Sequence, residues 1–178
     1  MIMNNELMQR LVSGNRNFIQ NGNAELRVQT AEHGQHPYAI VIACSDSRVI
    51  PEEIFSAGIG ELFVIRVAGN VLDNHQLGSI EYAAAHLGCK MVVLLGHTGC
   101  GAVSAALSGH HDGFITYIVE DVLEAIGEEK DPDAACKLNV RHGVERIRTE
   151  FADHPEVSDV EIIGAVYDIT SGEVEWLS

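Results

Sequence analysis

The chain has 178 residues, a formal net charge of −15 at pH 7, 46% hydrophobic residues and 21% charged residues. This length and composition are typical of a globular domain with a sizeable core. The apolar runs are too short to span a membrane, and the acidic excess disfavours binding to nucleic acid or anionic lipid. The first residues show no basic segment before a long apolar stretch, so we expect no signal peptide and a cytoplasmic location.

The first part of the chain predicts one helix and then an extended arm. Residues 4–21 place Leu7, Leu11 and Phe18 at helical spacing, and the sequence NGN follows them. Residues 22–37 are polar and contain glycine and proline, which favours an extended linker. We interpret residues 1–37 as an N-terminal helix and arm within a single domain that covers residues 1–178.

The rest of the chain alternates between predicted strands and predicted helices. Several of the strands are apolar throughout, which is typical of a parallel sheet that is buried on both faces. We therefore predict a single α/β domain with a mainly parallel central sheet of about four or five strands, flanked by helices. Strands are predicted over 38–44, 61–70, 90–96 and 159–169, with a hairpin-like tail after them; helices are predicted from Pro51, over 74–87, after the glycine-rich turn at 98–101, over 114–126, and around Val140, Val144 and Ile147.

Chemically reactive side chains follow two of these strands. Cys44, Asp46 and Arg48 come after the first strand, and His97 and Cys100 come after the third. Ligands of parallel sheets bind beyond the carboxyl ends of the strands, so we expect these residues to lie together. Two thiolates and one imidazole are a typical zinc donor set, and three protein ligands leave the fourth position open, as in catalytic zinc sites.

The sequence leaves two roles open for Asp46. In the first, Asp46 binds the metal directly and closes the site. In the second, Arg48 holds Asp46 as a hydrogen-bond acceptor for a water on the metal. Cys89 and Cys136 have no ligand-like neighbours, so we interpret them as ordinary buried cysteines. The His110-His111 pair with Asp112 lies in a predicted surface loop, which favours solvated histidines over a second metal site.

Four segments in this order, CSDSR, GELFVIRVAGN, GSIEYA and GHTGCGAV, resemble the β-class carbonic anhydrases, and the resemblance extends over essentially the whole chain. It implies one zinc ion per chain, bound by Cys44, His97 and Cys100, and an Asp46–Arg48 pair beside it. It also implies the reversible hydration of carbon dioxide to bicarbonate and a proton by a zinc-bound hydroxide.

The resemblance also implies which residues form the substrate site and that the chain assembles into an oligomer. Gln35, Phe63, Tyr82 and Gly101 match positions that contact substrate or line its pocket in the family. The N-terminal helix is expected to pack on a partner subunit in a homodimer or a higher even-numbered oligomer. Val41 stands where some bacterial members have a tryptophan that helps to bind inhibitory bicarbonate, so we expect no such inhibition.

Departures from the family pattern and competing functions remain. Val67 and Ala68 replace residues that are often larger or polar, which leaves the pocket size open. The alternatives to carbon dioxide hydration are a carbon disulfide or carbonyl sulfide hydrolase on the same scaffold and a non-catalytic zinc module. Zinc lowers the pKa of a bound water, as it does in the carbonic anhydrases whose zinc has three histidine ligands. Two thiolates donate more charge to the metal than two imidazoles do. We therefore expect a higher pKa for this water and activity that rises toward alkaline pH.

Overall fold

The structure, a computed structural model, describes residues 3–110 and 112–177. Contacts divide the chain into two units, one ending at Gln35 and the other beginning at His36. The whole central sheet lies in the second unit. The assignment of residues 1–178 to one domain stays a prediction.

The first unit consists of helix α1 (Met3–Asn21) and helix α2 (Ala24–His33). Helix α1 confirms the predicted helix. The extended arm predicted over 22–37 is wrong, because α2 occupies most of that range. Its ends explain the helix: the Asn23 side chain accepts a hydrogen bond from the Leu26 N–H, and Gly34 follows the last helical residue with a positive φ of 81°. A polar segment with good caps forms a helix without burying a side chain.

The second unit confirms the predicted α/β fold. Among the described residues, a five-stranded sheet has the order β2-β1-β3-β4-β5, and its first four strands are parallel. The last strand pairs antiparallel with β4, which confirms the predicted hairpin tail. The strands are β1 (Ala39–Ala43), β2 (Leu62–Arg66), β3 (Met91–His97), β4 (Glu161–Tyr167) and β5 (Val174–Leu177).

Helices connect the parallel strands, as the alternation in the sequence predicted. The helix bounds are α3 (Pro51–Ile54), α4 (Asn74–Leu87), α5 (Gly101–Ser108), α6 (Ile115–Ile126) and α7 (Pro132–Glu150), with 3₁₀ turns at Ala68–Asn70 and Pro155–Val157. The second strand ends at Arg66, earlier than the predicted end at 70, because Gly69 has a φ of 69° that no strand accommodates. The early end creates a turn beside the metal centre.

The sheet is buried on both faces, and β1 shows this best. All its residues are buried, with Ile40 and Ile42 in one apolar cluster and Val41 and Ala43 in another. Alternate residues of a strand point to opposite faces, so each cluster covers one face of the sheet. Ala83 of α4 and Val144 of α7 belong to the first cluster.

Candidate metal centre

Three elements of the second unit bring Cys44, His97 and Cys100 together. Cys44 directly follows β1, His97 is the last residue of β3, and Cys100 is the N-cap of α5. Strands β1 and β3 are parallel neighbours, so their carboxyl ends meet at one edge of the sheet. The two Sγ atoms and a ring nitrogen lie within 4.8 Å of one another, and all three residues are buried. The predicted juxtaposition is therefore confirmed.

The histidine ring is oriented for a ligand. Its Nδ1 atom lies 2.9 Å from the Thr98 carbonyl oxygen, to which it donates a hydrogen bond in the tautomer that leaves Nε2 unprotonated. The Nε2 atom is buried and has no hydrogen-bond partner among the described residues. A buried ring nitrogen without a partner is costly, and two thiols beside it complete a soft donor set. The residues present therefore fit a zinc ion.

The surroundings of Cys44 favour its thiolate. The neighbouring Cys100 thiol has the largest effect and lowers the pKa of Cys44, an effect that burial opposes. The N–H groups of Gly69 and Asp46 also donate to Cys44 Sγ, at 3.3 and 3.4 Å. The pKa of Cys100 is raised, because its proton is shared with Cys44 and because the thiol is buried. One thiolate is thus already favoured before a metal binds.

Asp46 and Arg48 form the predicted pair. Arg48 Nε donates to Asp46 Oδ1 at 2.9 Å, and Arg48 Nη2 donates to Oδ2 at 2.7 Å. The Arg48 side chain, together with its backbone N–H, holds the pKa of Asp46 far below its usual range. Asp46 Oδ2 lies 4.0 Å from His97 Nε2, so an ionised, fixed carboxylate stands beside the cluster. Arg48 Nη2 also donates to the Gly99 carbonyl at 3.3 Å, which ties the two loops together.

Arg66 is a site residue that the sequence analysis missed. Its Nε donates to the Cys44 carbonyl at 3.1 Å, and its Nη2 donates to the Asp46 carbonyl at 2.6 Å. The guanidinium therefore spans the loop that carries the first ligand and the carboxylate. An arginine at the end of a strand paired with β1 was the available signal, because parallel strands end at the same edge.

The end of the third strand also receives support from helix α7. The Cys136 thiol donates a hydrogen bond to the His97 carbonyl at 3.3 Å. Burial raises the pKa of this thiol, so it stays protonated and acts as a donor. Among the described residues, the only group of three or more potential metal ligands is Cys44, His97 and Cys100. Cys136 lies outside this group, and so does Cys89, which donates to the Pro37 carbonyl.

The residues assigned to the substrate site lie in different places. Phe63 and Tyr82 contact each other, with ring centroids 6.1 Å apart. Phe63 is in register with Ile40, three residues before the end of β1, so its backbone lies about 10 Å along the sheet from the edge that carries Cys44 and His97. Gly101 begins α5 directly after Cys100, and Gln35 is exposed at the end of the first unit.

Val67 and Ala68 lie beside Cys44, at the edge of the sheet that carries the possible metal ligands and is called the metal edge below. Val67 exchanges backbone hydrogen bonds with the start of the loop, since its N–H donates to the Ala43 carbonyl and its carbonyl accepts from Ser45 N–H, both at 3.2 Å. Val67 and Ala68 are therefore candidates for the wall beside the metal. His110 and Asp112 are exposed, and His111 lies outside the described residues.

Comparisons with known proteins agree with this geometry. Residues 39–174 match the family model described as carbonic anhydrase. Carbonic anhydrase 2 of Mycobacterium tuberculosis is 34% identical over an alignment of 181 positions, which covers 91% of this chain and 87% of that protein. None of the helices described is both long and apolar enough to cross a membrane.

Solved structures show the same fold. The β-carbonic anhydrase CcaA superposes with a TM-score of 0.80 at 28% identity, covering 96% of this chain and 95% of the other. A tetrameric β-carbonic anhydrase of the ascomycete Sordaria macrospora gives a TM-score of 0.72 at 29% identity, covering 99% and 97%. From its family match, its relatives and the buried Cys-His-Cys cluster at the sheet edge, the chain belongs to the β-carbonic anhydrase family and has carbonic anhydrase activity.

Proposed function

We propose that the chain hydrates carbon dioxide reversibly with one zinc ion held by Cys44, His97 and Cys100. The observation that carries this proposal is the buried His97 Nε2 atom, which faces two cysteine sulfurs and has no hydrogen-bond partner among the described residues. When bound, zinc would lower the pKa of a water and supply hydroxide for attack on carbon dioxide. The protein residues around it orient the reactants.

Asp46 stays beside the metal in this proposal and does not bind it. Both carboxylate oxygens already accept hydrogen bonds from Arg48, and the low pKa keeps the group an acceptor. An ionised acceptor near His97 Nε2 takes a hydrogen bond from the attacking hydroxyl group and turns its lone pair toward carbon dioxide. Arg48 keeps this carboxylate charged and fixed.

The substrate site needs a small apolar pocket and hydrogen-bond donors. Val67 and Ala68 supply apolar surface at the metal edge. The Gly101 N–H is at the first position of α5, where no intrahelical acceptor exists, so it is available to bicarbonate. We propose that the Phe63–Tyr82 pair, which is remote from the metal set of its own chain, lines the pocket of a partner subunit. Gln35 is proposed to hydrogen-bond substrate or product on the basis of the resemblance.

A homodimer or a higher even-numbered oligomer follows from this assignment. Helix α1 supports it with exposed apolar side chains, since Leu7, Leu11 and Phe18 are 62%, 71% and 47% exposed. The related enzymes of Sordaria macrospora are tetrameric. All four cysteines are free, which supports the reducing cytoplasm as the proposed location.

The test is stopped-flow hydration of carbon dioxide near pH 8.5, with zinc content measured on each protein. We compare wild type with Asp46→Ala and with the control Asp159→Ala. Asp159 also forms an ion pair, with Lys90 at 2.8 Å, but both residues precede their strands and lie at the opposite edge of the sheet. We expect zinc in all three proteins, a loss of about 10²- to 10⁴-fold in Asp46→Ala, and no loss in the control.

The other functions predict different results. A zinc-loaded wild type that hydrolyses carbon disulfide but does not hydrate carbon dioxide would identify the sulfur-substrate hydrolase. Zinc binding without either reaction would identify a non-catalytic zinc module. Full activity after zinc is removed by a chelator would contradict the proposed cofactor.

A further inference from the structure

Asn139 of α7 is a polar side chain buried in the core near the metal centre. It is 6% exposed, and its neighbours on the inward face of α7 include Cys136 and Val140. Its Nδ2 atom donates a hydrogen bond to the Gly69 carbonyl oxygen at 2.8 Å. A buried amide is costly without such a bond, so the position of the Gly69 peptide and that of Asn139 depend on each other.

Gly69 connects this bond to a metal ligand. Its N–H donates to Cys44 Sγ at 3.3 Å, while its carbonyl accepts from Asn139. Its φ is 69°, and a Cβ added here would lie 2.9 Å from the Cβ of Ala102 in the first turn of α5. Only glycine fits this place, and glycine has unusual backbone freedom. A second contact is therefore needed to hold its N–H toward the sulfur.

We infer that Asn139 is a positioning residue of the metal centre, which fixes the Gly69 peptide and so aims its N–H at Cys44 Sγ. The hydrogen bond sets the direction of the sulfur lone pairs and withdraws charge from the thiolate. Hydrogen-bond partners of metal ligands tune metal affinity in this way. Asn139 acts on the metal centre through the Gly69 peptide. The inference rests on the metal centre proposed above.

Helix α7 is a rigid base for this role. Val140 packs closely against Gly96 of β3: a Cβ on Gly96 would overlap the Cγ2 atom of Val140. Cys136, one turn before Asn139, donates to the His97 carbonyl at 3.3 Å. Residues three apart share one helix face, so the same face of α7 bonds the His97 carbonyl and the carbonyl of Gly69, whose N–H donates to Cys44 Sγ. Asn139 therefore has a fixed position from which to hold Gly69.

The experiment measures metal affinity and the absorption of the Co²⁺-substituted protein for wild type, Asn139→Leu and Val144→Ala. Leucine keeps the branched shape and removes the donor. Val144 is buried in the same helix, 6% exposed, and packs in the core away from Gly69, so its truncation lowers stability alone. Asn139→Ser is a milder second variant, whose side chain is too short to reach the Gly69 carbonyl.

We expect zinc affinity, measured by competition with a chelator, to fall about 10- to 100-fold in both Asn139 variants. The thiolate-to-cobalt absorption should change in both, while Val144→Ala retains the wild-type affinity and spectrum. Wild-type values in the Asn139 variants, or an equal loss in Val144→Ala, would overturn the inference. A wild type that binds no metal through these ligands would overturn the proposed function as well, which separates the two failures.

Discussion

Gly96 lies one residue before His97 in β3, and α7 crosses it without space for a side chain. A Cβ on Gly96 would overlap the Cγ2 atom of Val140. Val140 has little room to move away, because its Cγ1 atom packs over Gly164 of β4, where an added Cβ would lie 2.8 Å from it. We therefore predict that Gly96→Ala destabilises the protein and that the same change costs little in a protein that already carries Val140→Ala.

The magnitudes follow from this geometry. Overpacking a core by one methyl group costs about 1–3 kcal/mol, and the locked Val140 places Gly96→Ala near the upper end, at about 2–3 kcal/mol. Val140→Ala removes two buried methyl groups at about 0.8 kcal/mol each and leaves a cavity, so we expect about 2–3 kcal/mol. The new methyl fills part of that cavity in the double variant, which should lose only about 2 kcal/mol.

Urea unfolding of the zinc-loaded protein, at one protein concentration for all variants, measures these free energies of unfolding. Additive costs would give a double variant about 4–6 kcal/mol less stable than wild type, so the expected coupling is about 2–4 kcal/mol. If the double variant is as unstable as the sum of the single variants, the close contact between β3 and α7 is not what limits residue 96.

Three further predictions concern the site and one helix end. Arg48→Lys should reduce carbon dioxide hydration about tenfold without loss of zinc, because lysine cannot bond both oxygens of Asp46; equal activity would contradict the role of the paired contact. The rate of carbon dioxide hydration should rise toward alkaline pH, because two thiolate ligands donate more charge to zinc than imidazoles do and so raise the pKa of the water that zinc activates. A rate profile that is already flat at acidic pH would refute this. Asp73→Ala removes the cap of α4 and should cost about 1 kcal/mol at pH 7, measured by thermal unfolding. The His75 N–H lowers the pKa of Asp73, so the charged cap stabilises the fold fully above the unfolded pKa of about 4 and loses this contribution as the pH falls through the lower folded pKa. The stability difference between wild type and Asp73→Ala should therefore shrink over that range; a constant difference would show that the charge is not involved.

Much of the fold was predictable because the patterns are local. The continuous apolar run at β1 indicated burial on both faces, and both apolar clusters confirm it. The ligand set was predictable for a second reason: parallel strands end at one edge of the sheet, which places Cys44 near His97. The Asp46–Arg48 pair followed from residues two apart in one loop, a distance that a guanidinium spans without help from the rest of the chain.

The mistaken arm over 22–37 had a different cause. Helix α2 buries none of its side chains, so no apolar period marks it, and only its caps at Asn23 and Gly34 were visible in the sequence. The early end of β2 likewise depended on the backbone of Gly69, whose positive φ is not evident from an apolar run. Local composition was a poor guide where caps and one dihedral angle decided the outcome.

The sequence by itself determined the α/β alternation, the donor set and the paired carboxylate, because each depends on residues near in the chain or on the common edge of parallel strands. Only the tertiary structure decided what holds that set in place. Arg66 reaches the Cys44 carbonyl across 22 positions, and Asn139 reaches Gly69 across 70. Such contacts form when the packing of helices and strands brings together groups that are remote in the chain, and the buried Asn139 amide must find an acceptor there.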